Sequence, residues 1–105
     1  MKSTRLLTPA ETELLDAAEY YERQRLGVGV RFLDAVEAVK AEIEHFPSIG
    51  ATHGKRFRSL CVQGFPYIVI YQDRPEECLI VAVAHTSRRP GYWKERLRYQ
   101  VPAPD

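Results

Sequence analysis

The sequence predicts an α+β fold of the order βααβββ, in which an N-terminal αα-hairpin packs on a small, mostly antiparallel sheet. Three observations lead to this fold class. Apolar residues recur at helical spacing over residues 8–46 and at strand spacing over residues 55–85. The links between the strand-like runs are short turns, which join antiparallel rather than parallel neighbours. The chain has 105 residues, a length typical of one hydrophobic core.

The first helix is expected to begin at Thr8. Thr8 can cap the helix, Pro9 suits the first helical position, and Glu11 completes a capping box. Gly27 and Gly29 are expected to end this helix, because glycine interrupts a helical pattern. The acidic residues on it are most simply its solvated side: Glu11, Glu13, Asp16, Glu19 and Glu22.

The second helix is predicted to start near Val30 and to end at Pro47. Its apolar residues follow one another at intervals of three and four, which places them in one stripe on one face. These residues are Phe32, Val36, Val39, Ile43 and Phe46. Two helices of about 17 residues joined by a short glycine-containing loop form an antiparallel αα-hairpin.

Three strands are predicted after the helices, and the last of them is nearly all apolar, as expected of a central strand. They cover Lys55–Val62, Phe65–Gln72 and Cys78–His85. Arg5–Thr8 is expected to add an N-terminal edge strand, residues 90–99 a short C-terminal helix, and residues 101–105 a frayed tail. We therefore interpret residues 1–105 as a single domain made of the helical hairpin (8–46), a three-strand meander (55–85) and a short C-terminal segment (90–99).

The composition is ordinary for a soluble globular protein, with 45% apolar and 28% charged residues. No apolar run is long enough to cross a bilayer, and the N-terminus has no signal-peptide pattern, so a cytoplasmic protein without membrane contact is expected. Cys61 and Cys78 lie in apolar strand-like runs and are interpreted as reduced core thiols. Metal-ligand clusters and glycine-rich phosphate loops are missing from the sequence, which favours a protein without metal or cofactor.

Charge is distributed unevenly along the chain, although the net charge is only +1. Between Glu11 and Phe46 there are nine acidic and four basic residues, a balance of −5; between His53 and Tyr99 there are nine basic and four acidic residues, a balance of +5. This asymmetry suggests that the two halves face different partners.

The chemically richest stretch is AVAHTSRRPGYWKER, residues 82–96. His85 ends an apolar strand and is more often a packed structural residue there, but it could also act as a general acid or base. Arg88 and Arg89 are either a solvated surface or, beside Tyr92, a site for phosphates, carboxylates or stacked bases. Trp93 is expected to be a core residue that pins the C-terminal segment.

A second basic group opens the first meander strand. Arg56 and Arg58 fall on one face of that strand, next to Lys55. Basic residues on a strand edge usually protect it against pairing with another chain. Together with Arg88 and Arg89 they could instead form half of a basic cleft.

The order of elements and three short motifs resemble the ParE/RelE superfamily of type II toxin–antitoxin toxins, and more closely its ParE-type, plasmid-stabilisation branch. The motifs are Tyr20-Tyr21-Glu22, Phe65-Pro66-Tyr67 and the run V-A-H-x-x-R-x-P-x-Y-W from Val83 to Trp93. The resemblance covers about Thr8 to Arg96. It implies a small toxin that is held inactive by a cognate antitoxin.

Two activities occur across the superfamily that the chain resembles: ribosome-dependent mRNA cleavage in RelE-type members and poisoning of DNA gyrase in ParE-type members. Nuclease members commonly carry an arginine where this chain has Ile68, and Lys40 is the only lysine of the second helix. One missing cation costs an endonuclease transition-state stabilisation. The resemblance therefore favours gyrase binding and leaves direct nucleic-acid contact open. The target-binding candidates are Arg56, Arg58, Arg88, Arg89 and Tyr92.

Two alternatives remain open at this point. The first is a RelE-like nuclease in which Arg58 and Arg88 bind phosphate while His85 or Tyr92 transfers a proton. The second is a non-toxic family member that only binds its antitoxin.

Overall fold

The computed structural model describes residues 2–99 and shows two long helices packed on a five-stranded sheet. The α+β prediction is confirmed. The elements are β1 (Ser3–Leu6), α1 (Thr8–Gln24), α2 (Val28–His45), β2 (Ala51–His53), β3 (Phe57–Cys61), β4 (Tyr67–Asp73), β5 (Glu77–His85) and the short α3 (Arg96–Tyr99). The expected tail, residues 101–105, lies outside the described residues.

The strand order in the sheet is β1-β5-β4-β3-β2. β1 pairs in parallel with β5, and every other neighbouring pair is antiparallel. The apolar strand β5 is therefore central, and seven of its nine residues are buried. The strand β2 was not predicted, because it has only three residues, all of them exposed, and shows no apolar alternation.

The start of α1 differs from the capping prediction. Leu7 occupies the N-cap position, Thr8 is already helical, and no side chain caps the helix. The reason is tertiary: Leu7 is buried in the core, and its N–H donates to the carbonyl of Ile80 on β5 at 2.9 Å. Pairing of the chain with β5 thus extends to Leu7 and sets the point where α1 can begin.

The link between the helices also differs from the sequence interpretation. Gly27 adopts a left-handed conformation (φ 90°) at the N-cap of α2, whereas Gly29 lies inside that helix. A Cβ on Gly29 would approach the carbonyl oxygen of Ala18 to 2.5 Å, so glycine permits the close helix crossing. Glu22 accepts hydrogen bonds from the N–H groups of Gly27 and Gly29, both at 2.9 Å, and so caps α2 rather than facing solvent.

The core lies between the helical hairpin and one face of the sheet. The predicted stripe on α2 is buried at Phe32, Val36, Val39 and Ile43, but Phe46 is 65% exposed because α2 ends at His45. Tyr21 and Phe32 meet two residues of the Phe65-Pro66-Tyr67 motif in edge-to-face contacts, which include Tyr21–Phe65 and Phe32–Tyr67 at 5.0 Å between ring centroids. These aromatic rings join the hairpin to the turn between β3 and β4.

The two cysteines lie in different environments. Cys78 is buried in β5, where burial raises the pKa of its thiol, and it fits the predicted core thiol. Cys61 is exposed at the end of β3, so its prediction as a core residue is wrong. The strand ends there, and alternation has placed its side chain outside the packed region. Both cysteines are free.

Candidate functional site

The side chain of Arg58 binds the loop between α2 and β2. Its Nη1 donates to the carbonyls of Ser48 and Gly50, each at 2.9 Å. The same loop is bound by the hydroxyl of Tyr71, the residue opposite Arg58 on β4, which donates to the carbonyl of Pro47 at 2.7 Å. Arg58 therefore stabilises the turn between α2 and β2.

His85 lies at the other end of the sheet from Arg58. It pairs with Tyr67, and Tyr71, the partner of Arg58, lies four positions further along β4, a distance of about 13 Å at the usual strand rise. The Nδ1 atom of His85 accepts a hydrogen bond from the N–H of Ser87 at 3.0 Å and lies 2.7 Å from its Oγ. These contacts with Ser87 support the structural interpretation of His85. The position of His85 in the sheet, about 13 Å along β4 from the partner of Arg58, keeps the two residues apart.

The densest polar cluster of the C-terminal region centres on Glu13 of α1. The guanidinium of Arg96 donates to both carboxylate oxygens of Glu13, at 2.7 and 2.8 Å, and Tyr92 donates its hydroxyl proton to the same carboxylate. The side chains of Glu13 and Arg96 are each only 16% exposed. We call Glu13, Tyr92 and Arg96 the Glu13 cluster.

The Glu13 cluster also completes the hydrogen bonds of β5. Val81 is an extra residue in the ladder, because Ile70 of β4 pairs with Ala82 while the next residue, Tyr71, pairs with Ile80. The carbonyl of Val81 accepts instead from Arg96 at 3.0 Å, and the N–H of Val83 donates to Glu13 at 3.0 Å. Side chains thus occupy two backbone groups on the strand edge that β1 leaves open beyond Leu7, and another strand could pair with those groups only by displacing Glu13 and Arg96.

Tyr92 is held as a protonated donor in this cluster. Burial, followed by its hydrogen bond to Glu13, raises the pKa of Tyr92 to about 12. A phenol with that pKa stays protonated near neutral pH, where it donates to Glu13 and is poorly matched to proton transfer. The guanidinium of Arg88 lies 3.9 Å from the centre of the Tyr92 ring, a cation–π contact.

The raised pKa of Tyr92 predicts a loss of stability at high pH. An unfolded tyrosine has a pKa near 10, so the folded state retains the proton more strongly, and the contribution of Tyr92 to stability is complete below about pH 10 and lost toward pH 12. We expect Tyr92→Phe to flatten the fall in the free energy of unfolding over this range, measured by urea titration. Tyr20→Phe, at an exposed tyrosine, is the control. Equal slopes in Tyr92→Phe and the parent protein contradict the role of Tyr92.

A shallow groove of about 230 Å³ adjoins the cluster between α1 and the end of β5. Arg88 lines it, as do His85 and, from α1, Glu13 and Asp16. Arg89 is exposed on the following loop. Of the predicted site residues, the structure therefore brings together His85, Arg88 and Tyr92.

Arg56 and Arg58 lie elsewhere, so the single basic cleft that would unite them with Arg88 and Arg89 is not formed. Arg58 is turned toward the loop after α2, as described above. Arg56 is exposed in a separate cleft beside residues 90–94. The physical reason is that β3 begins at Phe57. Arg56 therefore lies in the turn before the strand and Arg58 on the strand itself, so their side chains face different surroundings.

The sequence interpretation missed Glu13 and Arg96 as partners. One signal was available: Glu13 lies three residues after Ala10 and four before Ala17, both buried, and so interrupts the core-facing stripe of α1 with a carboxylate. An acidic residue in such a stripe requires a partner. Nothing in the sequence pattern identifies that partner as Arg96, 83 residues away.

Within residues 2–99, no three His, Cys, Asp or Glu side chains are arranged so that they could hold a metal ion. Over the same residues, neither α1, α2 nor α3 is both long and apolar enough to span a membrane.

The element order and sheet topology define an α+β protein with the RelE/ParE-like architecture. A family model described as the ParE toxin of the type II toxin–antitoxin system, parDE, matches residues 5–90. The chain belongs to this ParE toxin family, and it is a ParE-type toxin of a type II toxin–antitoxin system.

A solved structure supports the fold independently. The chain is similar to one described as "Chromosomal ParDE TA system from P. aeruginosa", with a TM-score of 0.70, 13% sequence identity, and coverage of 81% of this chain and 96% of that chain. At this identity the likeness concerns the fold. No curated protein matches the chain.

Proposed function

We propose that this toxin arrests growth by binding DNA gyrase and that a cognate antitoxin neutralises it. The family membership supports a toxin, and the geometry of the nuclease candidates favours binding over cleavage. Arg58 is engaged by two carbonyls, and Tyr92 is engaged by Glu13 with its pKa raised to about 12. An enzyme that cleaves RNA needs a phosphate-binding cation and a proton donor whose polar atoms are available to the substrate. The engagement of Arg58 by loop carbonyls and of Tyr92 by Glu13 is the observation that carries this proposal.

The exposed part of the 86–91 loop is the proposed contact with the target. The guanidinium of Arg88 packs on the Tyr92 ring, and the hydroxyl of Tyr92 donates a hydrogen bond to Glu13. These two contacts restrict the position of the Arg88 side chain. Arg89 adds a second charge beside it. Arginines on a rigid base lose less side-chain freedom on binding, which favours affinity.

The test of the gyrase proposal uses the purified chain and purified bacterial DNA gyrase. We expect the toxin to inhibit supercoiling or to trap cleaved DNA, and added antitoxin, expressed from the neighbouring reading frame, to reverse this effect. Unaffected gyrase with cut transcripts in a translation reaction would favour the RelE-like nuclease instead. If gyrase is unaffected, transcripts stay intact and cells grow normally on induction, the protein is instead a non-toxic family member that only binds its antitoxin.

Substitutions in the loop separate contact from stability. We expect Arg88→Ala or Arg89→Ala to weaken growth arrest on induction while the thermal melt stays close to that of the parent protein. Arg88→Ala removes a cation–π contact of about 0.5–1 kcal/mol at an exposed site, and Arg89→Ala removes no described contact.

Arg23→Ala is the matched control for the loop variants, since Arg23 is an exposed arginine that pairs with Glu19 on the same helix. It should retain full toxicity. Full toxicity of both loop variants, with normal expression, contradicts the assignment of Arg88 and Arg89 as target contacts.

The antitoxin is proposed to dock on apolar side chains that the fold leaves uncovered on the helical hairpin. Leu26, in the loop between α1 and α2, is 90% exposed, and Val30 at the start of α2 is 58% exposed. Exposed apolar side chains grouped on a helix surface favour an apolar partner segment. Co-purification of the antitoxin with Leu26→Ser/Val30→Ser tests this; undiminished capture excludes the surface.

A further inference from the structure

A second concave surface lies between the β2–β3 turn and the C-terminal segment. One wall is the turn, residues 53–56, and the other is residues 90–94; the cavity measures about 480 Å³. Its floor is formed by Phe57 and Trp93, whose rings meet edge to face at 4.7 Å between centroids. We call this surface the basic cleft. It is distinct from the groove that Arg88 lines.

Every charged side chain that lines the basic cleft is cationic. Lys55, Arg56 and Lys94 line it, together with His53, and no Asp or Glu does. In the part of the chain that the structure describes, none of these three cations forms an ion pair or a side-chain hydrogen bond. Five other cations of the described residues form ion pairs, as in Arg5–Glu77 at 2.8 Å. Three uncompensated charges around one cavity raise the local concentration of anions.

The basic cleft is held in shape by its own contacts. Gly54 and Gly91 both have positive φ, 67° and 76°, which closes the two walls with tight turns. A Cβ on Gly91 would lie 3.0 Å from Cε of Lys94, so the lysine side chain lies against the glycine backbone. The Nε2 atom of His53 lies 2.7 Å from Ser59 Oγ, which orients its ring toward Trp93. A preorganised cleft loses little freedom on binding.

We propose that the basic cleft binds an acidic peptide segment of a partner protein, whose carboxylates lie between Arg56 and Lys94. Charge complementarity favours a carboxylate ligand, and arginine binds carboxylate in a bidentate manner. A single nucleic-acid strand fits less well, because strand binders stack bases on exposed aromatic faces, whereas Trp93 is only 3% exposed. The acidic side of α1 and the net charge of +1 also give no extended basic track for a phosphate backbone.

This proposal does not rest on gyrase as the target. The charged side chains on which it depends, Arg56 and Lys94, lie outside the Glu13 cluster and outside the 86–91 loop, although that loop contributes Pro90 and Gly91 to the wall of the cleft. Loss of the acidic-peptide site would leave the gyrase proposal in place, and failure of gyrase inhibition would leave the peptide site in place. The two proposals are therefore tested separately.

Trp93 supplies a direct readout, because it is the single tryptophan of the chain and forms the floor of the basic cleft. The full-length protein is titrated with a hexaglutamate peptide at low ionic strength while tryptophan fluorescence is recorded. We expect a saturable change whose dissociation constant rises with added salt, as required of contacts between exposed charges. Hexathymidylate and inorganic phosphate are titrated in parallel as the competing sources of negative charge.

The test variant is Arg56→Gln/Lys94→Gln, which changes two exposed side chains. We expect it to bind hexaglutamate about tenfold more weakly or worse, from the loss of charge-assisted hydrogen bonds. Arg23→Gln/Arg25→Gln lowers the net charge by the same amount at the far end of α1 and should bind like the parent protein. Single variants at Arg56 and Lys94 give the same information should the double variant fail to fold.

Several results would overturn the proposal. One is a fluorescence change that never saturates with hexaglutamate, or one that salt does not weaken. Another is tighter binding of hexathymidylate, which would make the basic cleft a nucleic-acid site, or equal binding of phosphate, which would make it a simple anion site. Equal weakening in the Arg23→Gln/Arg25→Gln control would reduce the effect to net charge.

Discussion

Replacing Glu13 with glutamine is expected to lower the free energy of unfolding by about 3 kcal/mol, because it leaves the largely buried Arg96 without its counter-charge. The same carboxylate accepts from Tyr92 and from the N–H of Val83. One side chain therefore connects α1, the edge of β5 and the C-terminal segment. Urea unfolding followed by circular dichroism measures the change.

Asp16→Asn is the matched control for Glu13→Gln. Asp16 lies on the same helix and lines the same groove, and it takes part in no side-chain hydrogen bond among the described residues. We expect a change within about 0.5 kcal/mol for this control. The double variant Glu13→Gln/Arg96→Gln should lose less stability than the two single variants added together, since the partners act as one unit. Additive losses would show that Glu13 and Arg96 stabilise the protein independently.

Replacing Trp93 with alanine should reduce the free energy of unfolding by about 3–5 kcal/mol, since it removes a buried aromatic ring and leaves a cavity. Trp93 packs edge to face on Phe57 and covers the sheet face opposite the helices. For a chain of this size, such a loss lowers the melting temperature by at least about 10 °C and by at most a few tens of degrees.

Trp93→Phe distinguishes packing from polar contacts in this experiment. It keeps an aromatic ring against Phe57 and should lose clearly less stability than Trp93→Ala. Circular dichroism is the readout, because the variants lack the only tryptophan. A melt of Trp93→Ala that matches the parent protein would falsify the core assignment and move Trp93 to the contact surface.

Much of the fold follows from local patterns. The intervals of three and four in α2 require one buried face, and the apolar run of β5 requires cover on both sides, so the hairpin and the central strand could be predicted. Trp93 was placed in the core because a large ring after Pro-Gly needs a packing partner. These predictions succeed because the spacing of apolar residues within each segment shows which of its faces must be buried.

Other features depend on which segments become neighbours. Thr8 was expected to cap α1, but pairing of Leu7 with β5 moved the N-cap by one residue. Phe46 was assigned to the apolar stripe, but α2 ends before it and leaves it exposed. At Leu7 a tertiary contact overrode a capping preference worth only about 1 kcal/mol.

The sequence by itself determined the α+β class, the helical hairpin, the central strand and the resemblance to ParE toxins, since periodicity and motifs are local. Only the tertiary structure decided what the cations do: Arg58 binds loop carbonyls, Arg96 joins Glu13 across 83 residues, and Arg56 lines the basic cleft. The physical reason is that a charge acts through its distance to other charges, and chain folding alone sets those distances.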